Sequence, residues 1–257
     1  MQLRSAVALI TGASGGIGEV VAEQLAARGA EVLVHGRDRE RTEAVASRVG
    51  GRALVADLAT APGVDALAAE ALTGPRAAVD VLVLNAGQGY AGPFSAMPAD
   101  RIESLLALDL TGAIRLTHSL LPGMLARGRG HLCFVSSIAG RTGVAGEAVY
   151  AAAKAGLDAF ADSLRLELAG SGVGVSVVVP TVVDTEFFNR RGRPYERRSP
   201  RPVPPGQVAA AVVDAIEQDR AERFVPAWSR IAPAVRAVAP AAFRRLSLRF
   251  GEDVRSR

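Results

Sequence analysis

Short apolar runs alternate along the chain with longer stretches in which apolar residues recur at helical spacing. Runs at 6–10, 31–34, 53–56, 81–84, 132–135, 175–179 and 224–225 predict strands. Several, such as Val81-Leu82-Val83-Leu84, are continuously apolar, as expected of a strand buried on both faces. Helical periodicity over 17–28, 39–49, 64–71, 99–121, 148–169 and 207–218 predicts helices between them. Regular alternation of this kind predicts an α/β fold: one doubly wound parallel sheet of seven strands flanked by helices on both faces. Ligands of such sheets bind beyond the carboxyl ends of the strands. No repeat or linker divides the 257 residues, so a single domain is expected, with a segment of different character at 186–205 and another at 228–257.

The strand ends carry the polar and small residues. The first strand runs into Thr11-Gly12-Ala13-Ser14-Gly15-Gly16-Ile17-Gly18 and then a helix. Glycines there let the backbone turn tightly and approach a pyrophosphate, whose charge meets free N–H groups at the helix N-terminus. A plain turn is the alternative. The second strand ends in His35-Gly36-Arg37-Asp38-Arg39. A carboxylate there would suit the ribose hydroxyl of NAD, whereas an arginine suits the 2′-phosphate of NADP. Arg37 therefore favours NADP(H), with NAD(H) still open; Asp38 and Arg39–Arg41 read equally as the capped, solvated first turn of the next helix. The third strand ends in Asp57-Leu58, the fourth in Asn85-Ala86-Gly87, and the fifth in Ser136-Ser137.

Lys154 is the only lysine beside 29 arginines. An ammonium is a compact charge whose surroundings tune it, unlike the planar guanidinium. Tyr150 lies four residues earlier, on the same face of the predicted helix. A phenol beside an ammonium is a tunable acid, able to exchange a proton with a substrate oxygen. A packed tyrosine with a solvated lysine is the plainer alternative for that spacing alone.

Composition narrows the remaining classes. The single cysteine, Cys133, excludes an internal disulfide framework and sits in an apolar strand; no Cys and His cluster has metal-ligand spacing. No apolar run approaches a membrane span, and a soluble, cytoplasmic protein is expected. The net charge of +4 is uneven: Lys and Arg against Asp and Glu number 15 to 19 over residues 1–187, and 9 to 3 over 220–257. A main body without basic excess argues against nucleic-acid binding.

In order and spacing, these motifs resemble those of the classical short-chain dehydrogenase/reductase family. The match covers Thr11-Gly12-x-x-x-Gly16-x-Gly18, Asp57, Asn85-Ala86-Gly87, Ser137, Tyr150-x-x-x-Lys154 and the stretch from Pro180 to Thr185. The resemblance implies a Rossmann-type sheet and hydride transfer between a nicotinamide and a carbonyl or alcohol carbon, acting on a small molecule as a homodimer or homotetramer. It implies Tyr150 as general acid/base, Lys154 as the residue that lowers its pKa and binds the nicotinamide ribose, and Ser137 as hydrogen-bond donor to the substrate oxygen. Cofactor contacts are implied for Gly12, Ser14, Gly15, Gly16, Ile17, Gly18, Leu58, Asn85, Ala86, Gly87, Pro180, Val183 and Thr185, with Asp57 facing the adenine.

Two positions depart from the family pattern. Asp109-Leu110-Thr111-Gly112 stands where an Asn is usual, so a carboxylate is expected to support a proton relay with a different pH response; Thr181 stands where a Gly is usual. The arginine-rich, proline-rich stretch 186–205 resembles the family's variable substrate lid. Arg190, Arg191 or Arg193 there would recognise an acidic substrate, or the loop is simply solvated. The tail 228–250, with Phe243, Leu246 and Phe250 on one helical side and Arg244, Arg245 and Arg249 around them, would dock on its own domain, on a sister subunit or on a membrane surface. A cofactor-binding protein without turnover is the non-enzymatic alternative.

Overall fold

A computed structural model describes residues 1–196 and 200–250, with Arg249 and Phe250 described by backbone alone. All seven expected strands form: β1 Val7–Ile10, β2 Glu31–Gly36, β3 Arg52–Val55, β4 Val81–Leu84, β5 Gly130–Val135, β6 Val173–Pro180 and β7 Glu222–Val225. They make one sheet in the order β3-β2-β1-β4-β5-β6-β7, and every pair is parallel. The order reverses between β1 and β4, which is where ligands of such sheets bind beyond the strand ends.

Alternation along the strands divides the core between two faces. Leu9, Leu33, Leu82 and Phe134 point to one side and pack with Leu67, Leu116 and Leu157. Those three belong to α3 Ala61–Ala71, α5 Gly112–Ala126 and α7 Ala148–Glu167. Ile10, Val34, Val83 and Cys133 point to the other side and pack with Val21, Val45 and Val212. These lie on α1 Gly16–Ala26, α2 Arg39–Val49 and α9 Pro205–Gln218. Burial pushes the Cys133 thiol up to about 12, which leaves it inert as expected.

The helix expected over 99–121 differs in an informative way. It is built as α4 Ala99–Leu106, one π-helical turn Ala107–Thr111, and α5, which continues through Pro122 to Ala126. A Cβ at Gly112 would lie 2.3 Å from the Leu58 carbonyl oxygen, so the glycine lets the helix press against the loop after β3. The wider turn before it places Asp109 at 1% exposure in the interior.

Two shorter helices were not expected, α6 Ile138–Thr142 and α8 Phe187–Arg190, while the helical character expected of the tail appears as α10 Ile231–Val238 and α11 Pro240–Phe250. The two prolines of the tail fit them. Pro240 opens α11 and Pro233 lies in the first turn of α10, where no backbone donor is needed.

Candidate active site

The loop after β1 is clamped from below. Its Thr11 hydroxyl donates to the Val83 carbonyl (3.2 Å) and accepts from the backbone N–H of Asn85 (2.9 Å) and Ala86 (3.0 Å). Asn85 returns the contact, its amide donating to the carbonyls of Thr11 (3.0 Å) and Gly12 (3.2 Å). Burial pulls the His35 pKa down to about 4, so the ring is neutral; Nδ1 accepts from the Gly12 N–H (3.3 Å) while Nε2 donates to the Ala56 carbonyl (3.1 Å). Thr11 and His35 were quoted within motifs but given no role by the sequence. Their job is to hold the loop, and only the fold brings them beneath it.

The glycines are required by contact. A Cβ on Gly12 would stand 2.8 Å from the Ala86 Cα, and one on Gly18 would stand 2.5 Å from the Gly12 carbonyl oxygen. Gly15 precedes α1 with no side-chain cap, so the first-turn N–H groups of that helix are left for another acceptor. Gly16 has φ +61° and faces Thr185, whose Cγ2 would lie 3.5 Å from an added Cβ. The stretch from Pro180 to Thr185 thus forms the wall opposite the glycine loop. These residues fit a nicotinamide dinucleotide: an open cradle that side chains would fill, with unpaired donors at its floor.

Two arginines flank that cradle. Arg37 is exposed on the cleft wall and makes no hydrogen bond or ion pair among the described residues. Arg41 reaches back over the loop, donating from Nη2 to the Ser14 carbonyl (3.1 Å), and a Cβ on Gly15 would come within 2.7 Å of that nitrogen. A second cation therefore does lie at the glycine loop, although the sequence placed it in a solvated helical turn. The capping part of that expectation holds, since Asp38 accepts from the Arg41 N–H (3.0 Å). Gly36 is what lets α2 approach, because a Cβ there would lie 2.3 Å from Thr42 Oγ1 and 2.9 Å from Ser14 Oγ.

A cleft of about 1590 Å³ joins these parts to the far wall. Gly12, Ser14, Gly15, Gly16, Ile17, Arg37, Leu58, Asn85, Ala86, Gly87, Ser137, Tyr150, Lys154, Pro180, Val183 and Thr185 all line it. Three expected residues do not. Gly18 is buried inside α1 and Asp109 stands behind Gly87. Asp57 is exposed outside the cleft, its carboxylate accepting from the Ala59 N–H (3.0 Å).

Ser137 ends β5 and caps α6, its Oγ accepting from the Ala139 N–H (3.2 Å). Tyr150 and Lys154 share one buried face of α7. The Lys154 ammonium donates to the Val135 carbonyl (3.3 Å), lies 3.5 Å from Asp109 Oδ2, and is 5.7 Å from the centre of the Tyr150 ring. Asp109 accepts from the Gln88 N–H at 2.8 Å through its other oxygen. Burial pushes this carboxyl up to about 6, against the pull of Lys154 and Gln88.

Burial also pushes the Tyr150 phenol upward, and Asp109 adds to it; the Ser137 hydroxyl and the Arg191 charge pull the other way. This differs from the expectation that Lys154 does the lowering. The ammonium faces Asp109, and the carboxylate opposes its effect on the phenol.

The stretch after β6 reaches Tyr150 through a chain of rings. Phe187 lies 5.5 Å from the Tyr150 ring, Phe188 lies 5.6 Å from Phe187, and Tyr195 lies 5.5 Å from Phe188. Arg191 is neither solvated nor open to an acidic substrate: it is buried, ion-paired with Glu147, donates to the Arg193 carbonyl (3.1 Å) and sits 4.5 Å above the Phe188 ring. Arg190 is exposed, while Arg197 and Arg198 lie outside the described residues. Thr181 turns its N–H to the Val225 carbonyl (2.9 Å) and is accommodated on the cleft floor.

Among the described residues no group of three His, Cys, Asp or Glu side chains is placed to hold a metal ion. A family profile described as short chain dehydrogenase matches residues 6–196. Ketoacyl reductase HetN from a Nostoc species is 33% identical over 261 residues, covering 95% of this chain and 88% of that protein. A short-chain dehydrogenase from Sphingobium yanoikuyae, solved in complex with NADPH, superposes with a TM-score of 0.81 at 28% identity, covering 98% of both chains. The 3-ketoacyl-(acyl-carrier-protein) reductase from Brucella melitensis, complexed with NADH, superposes with a TM-score of 0.80 at 26% identity, covering 87% of this chain and 97% of that one.

Proposed function

The chain belongs to the classical short-chain dehydrogenase/reductase family and is a nicotinamide-dependent oxidoreductase, and from that premise we propose that it is an NADP(H)-preferring reductase of ketones or aldehydes. The observation that carries this reading is the convergence of Ser137, Tyr150 and Lys154 on one wall of a cleft whose opposite end is the glycine loop flanked by Arg37 and Arg41. Family members related to it are ketoacyl reductases, which supports a carbonyl substrate.

Bound in the cradle, the nicotinamide supplies the hydride for reduction. Gly12, Gly15 and Gly16 leave room for the pyrophosphate, and the free N–H groups of α1 meet its charge. Arg37 and Arg41 take the 2′-phosphate, which NADH lacks. The Ser137 hydroxyl holds the substrate oxygen and offsets charge as it develops there. Tyr150 passes its phenolic proton to that oxygen; a phenol held protonated by burial suits the direction of reduction. Lys154 holds the nicotinamide ribose, and Asp109 positions Lys154 from behind Gly87. The reading includes a cytoplasmic homodimer or homotetramer and a lid at 186–205 that sets specificity.

The test is fluorescence titration with NADPH and NADH separately, followed by turnover on a panel of ketones and aldehydes with wild type and Tyr150→Phe. Tighter NADPH binding and a loss of about 10²–10⁴-fold in turnover for Tyr150→Phe are expected, the range for a missing general acid. Tighter NADH binding would overturn the cofactor preference. Cofactor binding with no turnover on any ketone or aldehyde would overturn the proposed substrate class.

A further inference from the structure

We propose that the exposed apolar side chains of α10, α11 and the turn before them form a docking surface for an anionic lipid bilayer, placed at the mouth of the cleft. The first observation is exposure. Trp228 and Ile231 are each 58% exposed, Leu246 51%, Val238 84% and Leu248 86%, all within two consecutive helices and the turn before them. An apolar set of this density on a protein surface marks a place where something binds.

The second observation is charge. Residues 228–250 contain Arg230, Arg236, Arg244, Arg245 and Arg249 and no Asp or Glu. A segment with exposed apolar side chains and only arginine as its charged residues matches an interface of acyl chains below anionic headgroups, and the neighbouring Glu222 is neutralised by its ion pair with Arg141. A second copy of this segment fits poorly, because a two-fold contact sets each surface against itself and would bring arginine against arginine.

The third observation is continuity with the cleft. The inner side of the same helices does dock on the chain itself: Arg236 donates to the Arg141 carbonyl (2.5 Å), and Ala232 and Phe243 are half-buried on the cleft wall. Trp228 and Leu248 line the same cleft while staying largely exposed, so the apolar set runs from the cleft mouth onto the open surface. Among the described residues no helix is long and apolar enough to cross a membrane, so the helices would lie in the interface plane. A surface there would let an apolar carbonyl compound pass from the bilayer into the cleft.

The chain's only tryptophan, Trp228, reports on this surface directly. The full-length protein, without cofactor, is mixed with vesicles of phosphatidylcholine alone or with phosphatidylserine, and both co-sedimentation and tryptophan emission are read. Binding to the anionic vesicles, a blue shift of the emission and a loss of both as salt is raised are expected. Each arginine near an anionic surface adds about five-fold to partitioning, so Arg244→Glu with Arg245→Glu should weaken it by more than ~10-fold. Val238→Asp with Leu246→Asp should weaken it as well, with melting temperature and elution volume unchanged in both variants. Equal binding to neutral and anionic vesicles, no binding, or indifference to both variants would overturn the proposal. So would a wild-type oligomer that either variant dissociates, since the surface would then be taken by a second copy. None of these readouts depends on turnover, so the proposal fails or stands apart from the reductase reading.

Discussion

Lys154 Nζ stands 3.5 Å from Asp109 Oδ2, so the one ammonium of the chain faces a buried carboxylate rather than acting on the phenol alone. The carboxylate holds the Tyr150 phenol up, because negative charge disfavours phenolate. Asp109→Asn removes that charge and keeps an acceptor for the Gln88 N–H. The phenol then ionises at lower pH. In reduction, where the protonated phenol is the reactive form, the alkaline limb of the pH–rate profile should move to lower pH. In alcohol oxidation, where phenolate is the base, the rate at neutral pH should rise relative to wild type. A profile unchanged in both directions would dismiss the tuning role of Asp109.

The same carboxyl shapes stability. Asp109 and Asp158 both titrate near 6, above the ordinary 3.8, chiefly through burial, so the folded chain binds their protons more tightly than the unfolded one. Their stabilising contribution is complete below about 3.8 and is lost as pH rises through 6. His35 and His131 act oppositely: held near 4 by burial against an ordinary 6.5, they favour the fold above 6.5 and lose that contribution as pH falls through 4. Between these limits the two pairs offset one another. Asp109→Asn removes one opposing group, and urea titrations at several pH values should show stability rising with pH more steeply than in wild type, by up to ~1.4 kcal/mol per pH unit.

The proposed NADP(H) preference rests on the two arginines at the glycine loop. A charge-assisted hydrogen bond contributes about 1.5–3 kcal/mol, or roughly 10–100-fold in affinity. Arg37→Ala and Arg41→Ala should each weaken NADPH by an amount in that range and leave NADH within about three-fold, as read by fluorescence titration. Equal losses for both cofactors in Arg41→Ala would mean that its bond to the Ser14 carbonyl supports the loop rather than the 2′-phosphate.

Much of the fold was legible because the strands are short, apolar and regularly spaced: all seven formed, and runs such as 81–84 needed no tertiary information. The glycine loop, Ser137, Tyr150 and Lys154 were legible because their chemistry constrains residue type and spacing. What escaped depended on contacts distant in the chain. The π turn that buries Asp109 follows from the close approach of Gly112 to Leu58, 54 positions earlier, and helical periodicity over 99–121 carries no sign of it. Arg41 looked solvated because helix position says nothing of a long side chain folding back 27 residues to Ser14. Arg191 looked mobile because composition marks a lid as polar, while its burial needs Glu147, 44 residues away.

That ion pair fastens the stretch that we propose as the substrate lid. Arg191→Ala would remove one guanidinium partner from the half-buried Glu147 carboxylate and the cation above Phe188. Losing a hydrogen bond to a charged group costs about 1.5–3 kcal/mol, here against closure of that stretch rather than the whole fold. Substrate KM should rise by at least ~10-fold, with cofactor affinity nearly unchanged because the glycine loop is untouched. A melting temperature that falls while KM stays constant would assign the pair to the core instead.

Gly87 is the wedge between the catalytic face and its support. A Cβ there would lie 2.8 Å from Asp109 Oδ2 and 3.3 Å from Lys154 Nζ, so Gly87→Ala must drive the pair apart or displace the backbone after β4. Gly206 offers the matched control, since nothing lies within 4 Å of a Cβ at that position and α9 tolerates alanine. Gly87→Ala should lower kcat by at least ~10-fold while Gly206→Ala leaves it unchanged, because misplacing a group by about 1 Å can cost 10²-fold. The steric origin is separable from other causes by a double-mutant cycle with Asp109→Ala. With the carboxylate gone, the nearest neighbour of the added methyl moves from 2.8 Å to the Lys154 ammonium at 3.3 Å, an end of a long side chain. The second substitution should therefore cost far less than the first does alone. Strict additivity of the two losses would show that the methyl acts on the cofactor cleft and not on the Asp109–Lys154 pair.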